Sequence, residues 1–151
     1  MNLVEKLIDK NLTISAAESL TGGLFQATVV SMEHASKVFL GGVVSYTKEA
    51  KCKLLGLKMD DIEKFGVYSN ETSLSMAYGV KRLTNSNIAV GISGVAGPGA
   101  DEKTPAGTVY YSIIFNKDVY NKKIEIPNKS RQEVREKTVE IIVDDLLNLL
   151  K

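Results

Sequence analysis

The stretch from residue 12 to residue 30 constrains the fold most. In it, a strand pattern is followed by a turn that ends in a glycine pair, and then by an apolar segment. Leu12–Ser15 alternates apolar and polar residues and is rich in β-branched side chains, which predicts a short strand. Leu24–Val30 is mostly apolar and is long enough for a buried helix. Ala16–Gly23, which reads Ala-Ala-Glu-Ser-Leu-Thr-Gly-Gly, must therefore form a tight turn from strand to helix.

The rest of the chain alternates between helix and strand patterns. Helices are predicted over Asn2–Lys10, Thr47–Gly56 and Asp60–Lys64, from Ser69 with a buried face of Met76, Ala77, Val80 and Leu83, and from Ser130 to the end. Strands are predicted over Val38–Tyr46, Asn87–Ser93, Gly107–Phe115 and Val119–Ile126, the last two joined by a hairpin turn. This order predicts an α/β fold with a mixed β-sheet sandwiched between helical layers, in a single domain spanning residues 1–151.

Composition excludes several classes of function. The formal net charge of +1 gives no general electrostatic reason to bind nucleic acid or an anionic membrane. No apolar run approaches the roughly 20 residues of a membrane span, and the N-terminus lacks a signal-peptide pattern, so we expect a cytoplasmic protein. The single cysteine and single histidine argue against a disulfide and against a Cys- or His-based metal site. We therefore predict no metal and no cofactor.

The turn itself carries two hydroxyls, Ser19 and Thr21, before Gly22 and Gly23 open the helix. In one interpretation, a hydroxyl caps the helix and the glycines serve packing. In the other, Ser19 is a nucleophile on a strand-to-helix turn, as in a nucleophile elbow, although Gly-x-Ser-x-Gly is absent. Glycines there allow a ligand close to the backbone, and the free N–H groups at the helix start attract an oxyanion.

A nucleophilic serine needs a group that takes its proton. His34 lies in a polar loop without a partner motif, and Cys52 falls mid-helix beside leucines, which predicts a buried and inert thiol. Tyr46 and Lys51 remain, at a predicted strand-to-helix junction.

Lys51 would lie about one turn into its helix, where the positive end of the dipole disfavours an ammonium. The neighbouring Lys48 and Lys53 would act in the same direction if they lie close to it. A lysine placed in this way can serve as a base, whereas the alternative is a set of solvated helix lysines.

Two further features suit a phosphate or a ribose. Gly94–Ala100 is dense in glycine and can wrap such a group through backbone N–H groups, although it matches neither a P-loop nor Gly-x-Gly-x-x-Gly. Arg131 and Arg135 are one helical turn apart and can clamp a phosphate, or can instead pair with Glu136 or Glu140.

Together these motifs resemble one family. The order and spacing of Ala17–Gly23, Gly42–Lys51 with Leu55-Gly56, Gly94–Pro98 and Pro105–Val109 are similar to those of the CinA C-terminal domain family, the nicotinamide-nucleotide amidohydrolases. The similarity runs from about the first helix to the last. The resemblance implies hydrolysis of the carboxamide of nicotinamide mononucleotide (NMN) to nicotinate mononucleotide and ammonia, without a metal.

The resemblance also implies roles for particular residues. Ser19 matches the family's nucleophile, and Tyr46 and Lys51 match the tyrosine and lysine that serve it. We assign oxyanion binding to the backbone of Thr21, Gly22 and Gly23, and substrate binding to Gly94, Ala96, Gly97, Thr108 and Arg131. The expected partner is a pyridine mononucleotide, and we expect a homo-oligomer.

Two segments depart from the family pattern on the expected substrate side. The loop Gly99–Thr104 is shorter and less glycine-rich than usual, and Asn128–Ser130 stands where relatives usually carry Gly-Asp before the arginine. Many relatives have an additional N-terminal domain with a separate nucleotide-hydrolysing activity, which 151 residues are too few to include. The alternative function is a non-catalytic nucleotide-binding or protein-interaction domain linked to competence or DNA damage.

Overall fold

A five-stranded sheet forms the centre of the computed structural model, which describes all residues from Met1 to Lys151. Its strands are β1 (Ile14–Glu18), β2 (Phe39–Val44), β3 (Ile88–Gly94), β4 (Thr108–Phe115) and β5 (Asp118–Glu125). The order across the sheet is β2-β1-β3-β4-β5. β1 pairs in parallel with both of its neighbours, whereas β4 is antiparallel to β3 and β5. The predicted mixed sheet is therefore confirmed.

Helices cover both faces of this sheet. They are α1 (Leu3–Asp9), α2 (Leu24–Val30), α3 (Lys48–Leu55), α4 (Met59–Phe65), α5 (Asn70–Thr84) and α6 (Arg131–Leu149), with a 3₁₀ turn at Ala35–Lys37. Side chains of α1, α2 and α6 share the larger apolar core, and those of α3 and α5 share the smaller one. Ala16 and Ala17 of β1 belong to different cores, since successive strand residues face opposite sides. The α/β prediction with two helical layers is confirmed.

The first strand is longer and lies later than predicted. β1 continues through Ala16 and Ala17 to Glu18, because strands pair with it on both sides and small residues fit between two helical layers. Strand β2 approaches β1 closely at Gly42, where an added Cβ would lie 2.4 Å from the carbonyl oxygen of Ala16.

Two burial predictions are wrong. Leu83 is 62% exposed, since no residue in the last turn of α5, Lys81–Thr84, is buried. Cys52 is only half-buried in α3. Neither residue lies at the carboxyl ends of β1 and β3, where the candidate site is found.

Candidate active site

Ser19 directly follows β1 at the carboxyl end of the parallel strands, which is where open α/β sheets bind ligands. Its backbone N–H donates to the carbonyl of Ile92 in β3, at 3.1 Å, and its own carbonyl accepts from the Gly22 N–H, at 2.9 Å. Ser19 is 5% exposed. The predicted tight turn is therefore present, and it holds the hydroxyl at the edge of the sheet.

The residue before Ser19 caps the following helix. Glu18 is fully buried, and its two carboxylate oxygens accept from the N–H groups of Phe25 and Gln26, at 2.9 and 3.0 Å. The carboxylate satisfies these amides and compensates the positive end of the α2 dipole. The start of α2 is therefore not free to attract an oxyanion, contrary to the hypothesis from sequence. Sequence reasoning missed this cap because Glu18 reaches forward over the whole turn to α2, whereas the usual cap spans three residues.

The side chain of Lys51 contacts the side chain of Ser19. Its side chain extends from the first turn of α3, which Thr47 caps by accepting from the Ala50 N–H at 3.0 Å. Lys51 is 1% exposed, and its Nζ lies 3.0 Å from Ser19 Oγ. Nζ also donates to the carbonyl oxygens of Ser45, at 2.8 Å, and Tyr46, at 3.4 Å. The fold thus brings together two residues that are 32 positions apart in sequence.

Burial changes the proton affinity of Lys51. Removal from water disfavours the ammonium and lowers the pKa of Lys51 from 10.5 to about 8. No carboxylate forms an ion pair with it. The expected effect of nearby lysines is not the cause, since Lys48 turns away to pair with Glu102 at 2.5 Å and Glu63 at 3.7 Å.

The three contacts of Nζ fit both protonation states of Lys51, because an ammonium can donate to all three oxygens. A neutral lysine has two N–H donors and one lone pair. The carbonyls of Ser45 and Tyr46 can take the two donors, and the lone pair is then left for the Ser19 hydroxyl. The arrangement can therefore remove a proton from Ser19 Oγ directly.

Tyr46 contributes its backbone, and not its hydroxyl, to the contact with Lys51. Its ring is 55% exposed, and its hydroxyl accepts from Arg131 Nη2 at 2.6 Å. Arg131 Nη1 donates to the Gly97 carbonyl at 2.7 Å. Tyr46 and Arg131 therefore form one wall of the site, and the hydroxyl of Tyr46 makes no hydrogen bond to Ser19 or Lys51.

A cleft of about 490 Å³ opens in front of Ser19. It is lined by the turn, the start of α3, the glycine-rich loop and Arg131, with residues Ser19, Leu20, Tyr46, Thr47, Lys48, Val67, Tyr68, Gly94–Glu102 and Arg131. The cleft contains the predicted substrate-binding residues Gly94, Ala96 and Gly97. Thr108 does not line it, since its carbonyl instead accepts the Val95 N–H at 3.0 Å and supports the loop from behind.

The cleft carries charges of both signs. Lys48 and Arg131 supply cations, and Asp101 and Glu102 supply carboxylates from the loop that departs from the family pattern. This loop is attached to the rest of the cleft by the Lys48–Glu102 ion pair and by a hydrogen bond from the Tyr68 hydroxyl to Asp101. Burial and this carboxylate raise the pKa of Tyr68.

Of the three predicted backbone donors near Ser19, the N–H groups of Thr21 and Gly23 are free and that of Gly22 is not. The Gly22 N–H is used within the turn, whereas the N–H groups of Leu20, Thr21 and Gly23 have no acceptor within the protein. Arg135, which was expected to clamp a phosphate or pair with a glutamate, instead donates from Nε to the Leu20 carbonyl, at 3.0 Å, and from Nη2 to the Thr21 carbonyl, at 2.9 Å.

The structure also bears on two other kinds of site. No group of three or more His, Cys, Asp or Glu side chains is placed to hold a metal ion. None of the helices combines the length and the apolar character that crossing a membrane requires.

Comparison with known proteins identifies the family. The family model described as CinA C-terminal domain matches residues 1–150. A CinA-like protein of Petrotoga mobilis is 40% identical over 152 residues, which cover all of this chain but 38% of that protein. The chain thus spans less than half the length of this curated relative.

Solved structures agree with this match. A competence or damage-inducible protein from Enterobacter asburiae has a TM-score of 0.94 and 31% identity, covering 99% of this chain and 94% of the other. A competence-damaged protein (CinA) superfamily protein from Klebsiella pneumoniae has a TM-score of 0.95 and 27% identity, covering 98% and 92%. With a fold and a site that match the motifs of its sequence, the chain belongs to the CinA C-terminal domain family.

Proposed function

We propose that this chain is an amidohydrolase that converts NMN to nicotinate mononucleotide and ammonia. The observation that carries the proposal is the 3.0 Å contact between Ser19 Oγ and the buried Nζ of Lys51, at the base of a cleft. A buried amine without a carboxylate is costly unless it is neutral, and a neutral amine beside a hydroxyl is a base beside a nucleophile.

The reaction proceeds in two halves. Neutral Lys51 accepts the proton of Ser19 as Oγ attacks the carboxamide carbon, and the carbonyl oxygen becomes an oxyanion. The Lys51 ammonium then protonates the departing nitrogen, the C–N bond breaks and ammonia leaves an ester on Ser19. Water next attacks this ester while Lys51 takes its proton. The tetrahedral intermediate collapses, the proton returns to Ser19 Oγ and nicotinate mononucleotide is released.

The charges of the cleft support a pyridine mononucleotide. Arg131, which has no carboxylate partner, is suited to its phosphate, and the carboxylates of Asp101 and Glu102 are suited to its cationic ring. The volume of about 490 Å³ lies within the range of small-molecule sites. We also propose that the protein is cytoplasmic. That it forms a homo-oligomer, and that residues 1–151 are a single domain, remain predictions.

The rival function is a non-catalytic binding domain, in keeping with the competence and damage names of the structural relatives. A binding site gains nothing from a desolvated lysine against a serine hydroxyl, because a surface cation would attract the same ligand at a lower cost. The Ser19–Lys51 contact therefore favours the enzyme.

Ammonia release from NMN separates the two functions. We expect turnover by the wild type and loss of at least about 10³-fold in kcat for Ser19→Ala, the size typical of removing a catalytic nucleophile. Calorimetric binding of NMN to Ser19→Ala should remain, which shows that the cleft is intact. A wild type that binds NMN and releases no ammonia would support the binding domain instead.

A further inference from the structure

The turn after Ser19 is held by a cation from the last helix of the chain. Arg135 in α6 donates to two successive carbonyls of the turn, from Nε to Leu20 and from Nη2 to Thr21, at 3.0 and 2.9 Å. Its Nη1 donates to Gln132 Oε1 at 2.6 Å, and it makes no ion pair with a carboxylate. The guanidinium is therefore directed at the backbone of the turn.

Holding a carbonyl also orients the next amide. A trans peptide unit is planar, so its C=O and N–H point in opposite directions. Arg135 fixes the Leu20 carbonyl and hence the direction of the Thr21 N–H. The Gly22 N–H fixes the Ser19 carbonyl in the same way, and with it the direction of the Leu20 N–H. Neither the Leu20 nor the Thr21 N–H has an acceptor within the protein.

The other backbone donors near the nucleophile are already used, except for the Gly23 N–H. The N–H groups of Phe25 and Gln26 bond to Glu18, and the Gly22 N–H bonds to Ser19. Of the three residues with free N–H groups, Leu20 lines the cleft and Thr21 and Gly23 do not. Arg135 holds the peptide unit of the Thr21 N–H and makes no contact with that of the Gly23 N–H.

From this geometry we propose that Arg135 is a positioning residue, which fixes the Thr21 N–H so that, together with the Leu20 N–H, it forms the oxyanion hole for attack by Ser19. The proposal rests on the proposed amidohydrolase function. Two oriented donors beside the nucleophile stabilise the charge that develops on the carboxamide oxygen, and the guanidinium, on the far side of the Leu20–Thr21 peptide, polarises the Thr21 N–H further. Gly22 fits this arrangement, since its φ is +56° and an added Cβ would lie 3.4 Å from Arg135 Nη2.

The test compares Arg135→Ala and Arg135→Lys with Arg82→Ala. Arg82 is a matched control, because its Nη2 donates to the Leu55 carbonyl at 3.1 Å, at the end of α3 and outside the cleft. We expect Arg135→Ala to lower kcat on NMN by about 10²-fold, the size typical of losing one oxyanion donor, and to change KM less than about threefold. Arg135→Lys should recover part of kcat, since an ammonium reaches one carbonyl. Arg82→Ala should keep the wild-type kcat.

Two further readouts separate positioning from a general loss of structure. Guanidinium at millimolar concentration should restore part of the activity of Arg135→Ala and none of that of Ser19→Ala. The pH midpoint of kcat/KM should stay unchanged, because Arg135 does not contact Lys51. The proposal is overturned if Arg135→Ala retains kcat within about threefold, if the loss lies wholly in KM, or if the midpoint moves with the variant.

The test also gives an answer in two remaining cases. Should Arg135→Ala fail to fold, Arg135→Lys decides, and a wild-type kcat for that variant overturns the proposal. Should the wild type release no ammonia from NMN, the proposed function fails. The positioning role is then tested by the rate at which p-nitrophenyl acetate acylates Ser19, measured by mass spectrometry. An equal rate in wild type and Arg135→Lys overturns it.

Discussion

The pH dependence of the reaction should follow the buried amine of Lys51. Lys51 serves as a base only when it is neutral, so kcat/KM should rise with pH until the amine has lost its proton. Because burial lowers its pKa to about 8, we expect kcat/KM on NMN to increase about tenfold per pH unit below that value and to become level above it.

The magnitude follows from the two pKa values. At pH 7, a pKa of about 8 leaves about one tenth of Lys51 neutral, against about 3 × 10⁻⁴ for an ordinary lysine of pKa 10.5. Burial thus raises the active fraction about 300-fold, equivalent to about 3 kcal/mol. The same burial destabilises the fold, since the unfolded chain binds more protons than the native chain between pH 8 and 10.5.

This linkage predicts a trade-off between stability and activity. Below about pH 8 the ammonium is buried at full cost, so Lys51→Met should be inactive, and relative to it the wild type should be less stable at pH 7 than at high pH by about 3 kcal/mol. The wild type should regain this difference as the pH rises from about 8 to 10.5. Denaturant unfolding of both proteins at pH 7 and pH 10 measures the change.

The control for the kinetic profile is Lys48→Ala. Lys48 lies in the same cleft but pairs with Glu102 and Glu63, so its loss should leave the midpoint of kcat/KM near pH 8. A profile that is flat between pH 6 and 9, or a midpoint near 10.5, would refute a neutral Lys51 as the base. So would a stability difference between the wild type and Lys51→Met that stays the same at pH 7 and pH 10.

Three further outcomes test other parts of the site. Lys51→Arg should lose kcat nearly as fully as Lys51→Ala, because arginine keeps its proton. Lys48→Ala should lose much less kcat. An active Lys51→Arg would instead assign the role of base to Tyr46 or to water. Tyr46→Phe should raise KM for NMN a few-fold and leave kcat nearly unchanged, because its hydroxyl contacts Arg131 and not Ser19; a large loss of kcat would contradict this. Treatment with a chelator should leave ammonia release unchanged, whereas a loss that a divalent ion restores would show a metal requirement.

The sequence was sufficient for the fold class and for the pair at the centre of the site. Alternating helix and strand patterns carry the α/β fold, because hydrophobic periodicity reflects which faces are buried. The resemblance selected Ser19 and Lys51, and the structure places their side chains in contact. The reason for the lowered pKa of Lys51 was not predictable, since it is desolvation by residues distant in sequence and not the charge of neighbouring lysines.

Long-range contacts account for most of what sequence reasoning missed. Arg135 contacts Leu20 across 115 positions, and no local pattern links a helix arginine to a carbonyl so far away. Glu18 was included in the motif, but its role as the cap of α2 depends on the path of the turn that follows. Leu83 kept its helical spacing and still became exposed, because periodicity does not show where the covering layer ends.

The central claim is that Ser19 forms a covalent ester with the acyl part of NMN. Rapid acid quenching of the wild type during turnover, followed by intact-mass measurement and peptide mapping, tests it directly. The claim predicts an adduct with the mass of NMN less ammonia, located on Ser19 and absent from Ser19→Ala. Ammonia release from NMN with no such adduct, or with the adduct on another residue, would contradict it.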